Sequence, residues 1–97
     1  MSIVVVGGHD KMHNTYKSIG CKHGHRVKVF TQMPTKFEKV IGEPDGIVLF
    51  TNMVSHKMVI KTINEAKRKN IPVVRCHGNS AFSLENSIKE LEKGYSN

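Results

Sequence analysis

Apolar and polar positions switch between two periods along this chain, and each switch marks an element. Ile3 to Val6 is an unbroken β-branched run closed by Gly7-Gly8, the pattern of a strand buried on both faces. A helical stretch runs from Lys11 to about Ile19, with Asp10 as the expected N-cap and Gly20 or Gly24 as its stop. Arg26 to Phe30 alternates, with Val27 and Val29 on one side, which predicts a second strand nearer an edge. Pro34 and Thr35 open a short helix through Ile41, with Gly42 after it. Gly46 to Phe50 is a third, fully apolar strand. Ser55 caps a helix to about Lys69, where Met58, Val59, Thr62, Ile63 and Ala66 fit a 3.6-residue period and Lys57, Lys61, Lys67 and Arg68 face water. Asn70 ends that helix, and Ile71 to Val74 predicts a fourth strand with Pro72 near its start. Asn79 or Ser80 begins the last helix, which carries Phe82, Leu84, Ile88 and Leu91.

Strands that alternate with helices predict βαβ units, an α/β fold and a small open parallel sheet of about four strands in the order 2-1-3-4, flanked by helices like half of a Rossmann fold. The 97 residues fit one domain, 1–97, with 94–97 as a frayed C-terminus. No apolar run approaches the roughly 20 residues that span a bilayer, so no membrane is expected. The first residues, Met1 to Val6, lack the basic region of a signal peptide, and a cytoplasmic, bacterial protein is expected. Cys21 and Cys76 form no paired motif and read as plain thiols in or near the core.

Charge changes the picture of partners. Fifteen Lys and Arg stand against eight Asp and Glu, giving a formal charge of +7. That balance favours anionic partners: nucleic acid, nucleotides, phosphates or haem propionates. A solvated basic surface is the plain alternative, because the lysines are spread along the chain. Ligands of an open parallel sheet bind at the carboxyl ends of its strands. His9 follows strand one, His56 follows strand three, and His77 follows strand four. His13 lies one helical turn past His9, whereas His23 and His25 belong to the opposite edge. Imidazole is a frequent ligand of metals and of haem, so His9 and His56 are the candidate metal ligands. Gly7 and Gly8 let backbone approach a ligand closely, or simply form a turn with no ligand. Met53 beside Ser55-His56, and Met12 beside His13, suit the wall of a flat apolar pocket or ordinary core. No nucleophile motif, paired carboxylates or dinucleotide fingerprint appears, which favours a protein that is not an enzyme.

The sequence also resembles a known family. Gly7-Gly8 after strand one, Pro44-Asp45 before Gly46 to Phe50, and Val54-Ser55-His56 opening a helix with Lys61 and Lys67 resemble the bacterial family called domain of unknown function 2325, over nearly the whole chain. Many relatives carry an arginine where this chain has His9, and a His-Asp-Gly-Gly segment where it has Thr31-Gln32-Met33-Pro34. The resemblance implies a small dimeric α/β protein that binds haem b and oxygen, with His56 the residue carried over.

Two functions follow as expectations. The first is a non-catalytic haem-binding protein, a sensor of oxygen, another gas or redox state, with Gly7, Gly8, His9, His13, Met53, Ser55, His56 and His77 around its site. The second is a module for nucleotides or nucleic acid that uses the basic surface and the glycine pair, with weak, sequence-independent DNA binding. A homodimer is expected, because four strands and four helices leave sheet edges and a helix face uncovered; the third and last helices carry apolar residues for it.

Overall fold

In the computed structural model, which describes residues 1–94, the two β-branched and apolar runs become the centre of the sheet. Strand β1 (Ser2–Val6) lies between β2 (Arg26–Phe30) and β3 (Gly46–Phe50), and β4 (Val73–Cys76) closes the far side. The order is β2-β1-β3-β4, all parallel. The register places Val4 beside Lys28 and Ile47, and Val48 beside Val74. Central strands must be apolar on both faces because helices cover both, and every residue of β3 is buried.

The two faces hold separate cores. Ile3, Val5, Val48 and Phe50 pack under Tyr16 and Ile19 of α1 (His13–Lys22) and Leu84, Ile88 and Leu91 of α4 (Ala81–Gly94). Val4, Val6, Ile47 and Leu49 pack under Phe37 of α2 (Phe37–Val40) and Met58 and Ala66 of α3 (His56–Lys69). Alternate residues of one strand thus serve opposite layers, as the two-residue period requires. Among the described residues no helix is long and apolar enough to cross a membrane.

Local expectations are corrected at several points. Asp10 is not the cap of the first helix. His9 caps a 3-10 turn over Asp10–Met12, its Nδ1 accepting from the Lys11 N–H at 3.2 Å, and α1 starts only at His13. Of the two expected stops Gly24 is the one used, with φ of 80° and its N–H on the Cys21 carbonyl at 2.9 Å, and α1 runs to Lys22 straight through Gly20. A Cβ there would sit 1.9 Å from a Val27 methyl, so the glycine lets α1 lie against β2. The Thr35 helix shrinks to Phe37–Val40 and starts from Lys36 in a left-handed conformation.

The fourth strand is displaced by two residues. Asn70 is left-handed and its N–H bonds the Lys67 carbonyl, while the Ile71 N–H bonds the Ala66 carbonyl at 2.8 Å. That is a Schellman end, in which Ile71 packs back on the helix rather than entering the sheet. Of the expected frayed C-terminus 94–97, Gly94 is the last residue of α4 and 95–97 lie outside the described residues.

One buried group is out of place energetically. Thr62 is fully buried on α3, and among the described residues its hydroxyl has no hydrogen-bond partner. Thr62→Val keeps the shape and removes an unpaired polar atom. We expect it to stabilise the fold by about 1 kcal/mol in denaturant titrations. Destabilisation by a similar amount would show that the hydroxyl does have a partner.

Candidate ligand site at the carboxyl edge of the sheet

Four loops leave the carboxyl ends of the strands, and the fold draws them together. The loop after β1 is the tightest. Gly7 and Gly8 have φ of 93° and 89°, a region that side chains disfavour. A Cβ on Gly7 would meet the Met53 carbonyl at 2.6 Å, and one on Gly8 would meet the Tyr16 ring at 2.8 Å. The close approach that glycine permits is therefore to the chain's own loops. The Gly7 N–H donates to the Phe30 carbonyl and the Gly8 N–H to the Met53 carbonyl, at 2.8 and 2.7 Å. The next amide, of His9, reaches the Tyr16 hydroxyl at 3.4 Å. These three N–H groups tie β1's loop to its neighbours and are not presented to a phosphate.

Tyr16 is the hub that sequence reasoning missed. Its ring is fully buried against Phe50, with centroids 5.1 Å apart. Its hydroxyl donates to the Asn79 carbonyl at 2.6 Å while receiving the His9 N–H. One side chain thus pins the loops after β1 and β4. Burial pushes its phenol above the ordinary value near 10, against the opposing pull of the His9 hydrogen bond.

Between those loops lies a cleft of about 400 Å³ lined by His9, Lys11, Met12, Asn79 and Ser80. Ser80 caps α4, its hydroxyl accepting the Ser83 N–H at 3.1 Å. Phe82, in the first turn of α4, is 72% exposed, and Met53 in the loop after β3 is 38% exposed. Gly7, Gly8, His13, Met53, Ser55, His56 and His77 do not line this cleft, although the loops at this edge carry them.

The histidines differ in what their nitrogens are free to do. His9 uses Nδ1 as an acceptor for the Lys11 N–H. A neutral ring in that role carries its proton on Nε2, so Nε2 has no lone pair to offer. His56 is exposed at the first position of α3, beside the capping Ser55, whose hydroxyl accepts the Met58 N–H at 3.2 Å. His77 is the most constrained. The Thr51 hydroxyl donates its one hydrogen to the Cys76 carbonyl at 3.3 Å and lies 3.2 Å from His77 Nδ1. With that hydrogen on the carbonyl, Nδ1 is the donor in the second contact and the Nε2 lone pair is available; in the other tautomer Nδ1 accepts and Nε2 carries the proton. Cys76 is buried, and its thiol donates to the Gly78 carbonyl at 3.2 Å, the arrangement of an unreactive thiol.

Asp10 is tied to the loop after β2 and lies within electrostatic reach of His9 and His13. Hydrogen bonds from Thr31 and Gln32 hold its carboxyl below the usual range, the latter at 3.2 Å. His23 and His25 lie at the opposite edge, where they bond Glu85 and Glu92 of α4 at 3.1 and 2.6 Å. Among the described residues no three His, Cys, Asp or Glu side chains come together to hold a bare metal ion.

A family model described as "Uncharacterized protein conserved in bacteria (DUF2325)" matches residues 2–91. The solved lactose-specific IIB component domain of the phosphoenolpyruvate:carbohydrate phosphotransferase system from Streptococcus pneumoniae is similar in structure. It has a TM-score of 0.58 and 14% identity, over 98% of this chain and 97% of that one. At that identity the likeness shows the α/β fold alone. No curated protein matches the chain.

Proposed function

The chain belongs to the bacterial DUF2325 family, and from that premise we propose that its carboxyl edge binds haem b in a cytoplasmic, non-catalytic sensor of oxygen, another gas or redox state. The observation that carries this reading is the exposure of Phe82, at 72%, together with Met53, at an edge that also holds three histidines. Large apolar side chains in water beside histidines suit a flat apolar ligand with an iron to ligate. Within the cleft, Met12 offers apolar contact and Lys11 a cation for a propionate; Phe82 and His77 stand outside its walls, on α4 and on the loop after β4 at the same edge, where His77 can offer a ring nitrogen in one tautomer. Bound haem would supply a reversible gas site, provided only one axial position is taken by the protein.

The cleft covers one side of such a ligand, and a second copy of the chain covers the other. A homodimer that buries Phe82 would also remove its apolar surface from water. His77 and His56 are the candidate axial ligands. His9, whose Nδ1 already serves its own turn, instead shapes the cleft.

The test is substitution. His9→Ala, His56→Ala and His77→Ala are loaded with haem b, and the Soret band is recorded under reducing conditions. Loss or shift of the band is expected in His77→Ala or His56→Ala, with His9→Ala still loaded. An unchanged spectrum and full occupancy in both His56→Ala and His77→Ala would overturn the assignment.

The reading as a nucleotide or nucleic-acid module is less well supported. The loop amides that would cradle a phosphate after β1 are occupied by Phe30, Met53 and Tyr16. The same occupancy weighs against a phosphoryl-transfer reading drawn from the phosphotransferase domain.

A further inference from the structure

The far edge of the sheet presents a second surface, separate from the proposed haem site. β4 ends the sheet and pairs only with β3. The Ile47 N–H bonds the Pro72 carbonyl and the Thr51 N–H bonds the Cys76 carbonyl. Positions 72, 74 and 76 therefore turn their main chain inward, and the N–H and C=O groups of Val73 and Arg75 point out of the sheet. The side chains of these same two residues line a groove of about 320 Å³ against α3, floored by Ile63, Ala66 and Ile71 and rimmed by Lys67.

Lys67 and Arg75 are exposed, and among the described residues neither side chain has an ion pair or hydrogen bond. No carboxylate lines the groove. The other edge differs: the groove beside β2 includes Glu43 among its walls, and Lys28 there already donates to the Val40 carbonyl. We propose that the β4 edge receives an extended acidic segment of a partner protein, added as a fifth strand. The segment's main chain would bond Val73 and Arg75, and its carboxylates would meet Lys67 and Arg75 over the apolar floor. A second copy of this chain is the poorer occupant, because two-fold pairing through β4 would bring Lys67 and Arg75 against themselves.

The probe is an end-blocked peptide of about seven residues alternating valine and glutamate, titrated into the isotope-labelled protein. The expected result is shifted and exchange-protected amides at Val73 and Arg75. Arg75→Glu and Lys67→Glu should each weaken binding about tenfold, with Arg75→Lys close to wild type. Both side chains are exposed, so these variants should fold, and their own spectra verify it. The proposal is overturned by amides of Val73 and Arg75 that stay unmoved at millimolar peptide, which would leave the cations as guards against edge pairing. It is equally overturned by equal binding of a lysine-for-glutamate peptide, by duplex DNA moving these amides where the acidic peptide does not, or by self-association through β4.

Discussion

Gly8→Ala is expected to destabilise the protein by about 2–6 kcal/mol, a large share of a small domain's stability. Two costs combine. The residue has φ of 89°, which costs a side chain of order 1–3 kcal/mol. A methyl there would also lie 2.8 Å from the Tyr16 ring and 3.0 Å from that of Phe50. Both rings are fully buried and cannot withdraw without opening the core, which adds roughly 1–3 kcal/mol. For a chain of this length the melting temperature should fall by about 15–25 °C. A fall of only a few degrees would mean that the loop after β1 is looser than the geometry requires.

Tyr16→Phe follows from the same contact and acts on the site as well as the fold. The ring stays, but the Asn79 carbonyl and the His9 N–H each lose a partner. We expect a cost of about 2 kcal/mol, since removing one side of a buried hydrogen bond exposes the desolvation penalty of the other. The pH dependence separates this from simple packing damage. Burial raises the phenol's folded-state pKa above its unfolded value near 10. The folded protein therefore holds that proton more tightly. Tyr16's contribution is full below about pH 10 and is lost as pH rises through the folded pKa. Wild type should lose stability along that alkaline limb, and Tyr16→Phe should lack this component. The same variant should loosen the cleft between His9 and Asn79 and weaken ligand binding there. Parallel alkaline profiles for the two proteins would contradict the account.

The sheet was legible in the sequence because its central strands must be apolar on both faces. Ile3 to Val6 and Gly46 to Phe50 can be little else in a chain of this size. The order 2-1-3-4 followed from right-handed crossovers, and the structure has it. What misled was local chemistry with two uses. Ile71 looks like a strand residue, but it closes a helix end, so β4 starts two residues later. His9 looks like an open ligand, but its ring caps the turn that Asp10 was expected to cap.

At the site, the sequence pointed to the carboxyl edge but not to its wiring. Tyr16 is one aromatic residue on an amphipathic helix, and its hydroxyl partner is 63 positions away. The Thr51–His77 contact spans 26 positions, and nothing in the local pattern pairs them. The glycine pair was read as room for a ligand or a turn; its room is filled by Tyr16, Phe50 and Met53. Such long-range pairings exist only once the strands are in register.

The visible absorption spectrum, followed as haem b is added to the purified protein, tests the central claim most directly. The account predicts a sharpened Soret band that saturates, and a weaker, broader one in Phe82→Asp, which places a charge where apolar contact is expected. A spectrum that stays that of free haem throughout the titration, with no saturation, would contradict it.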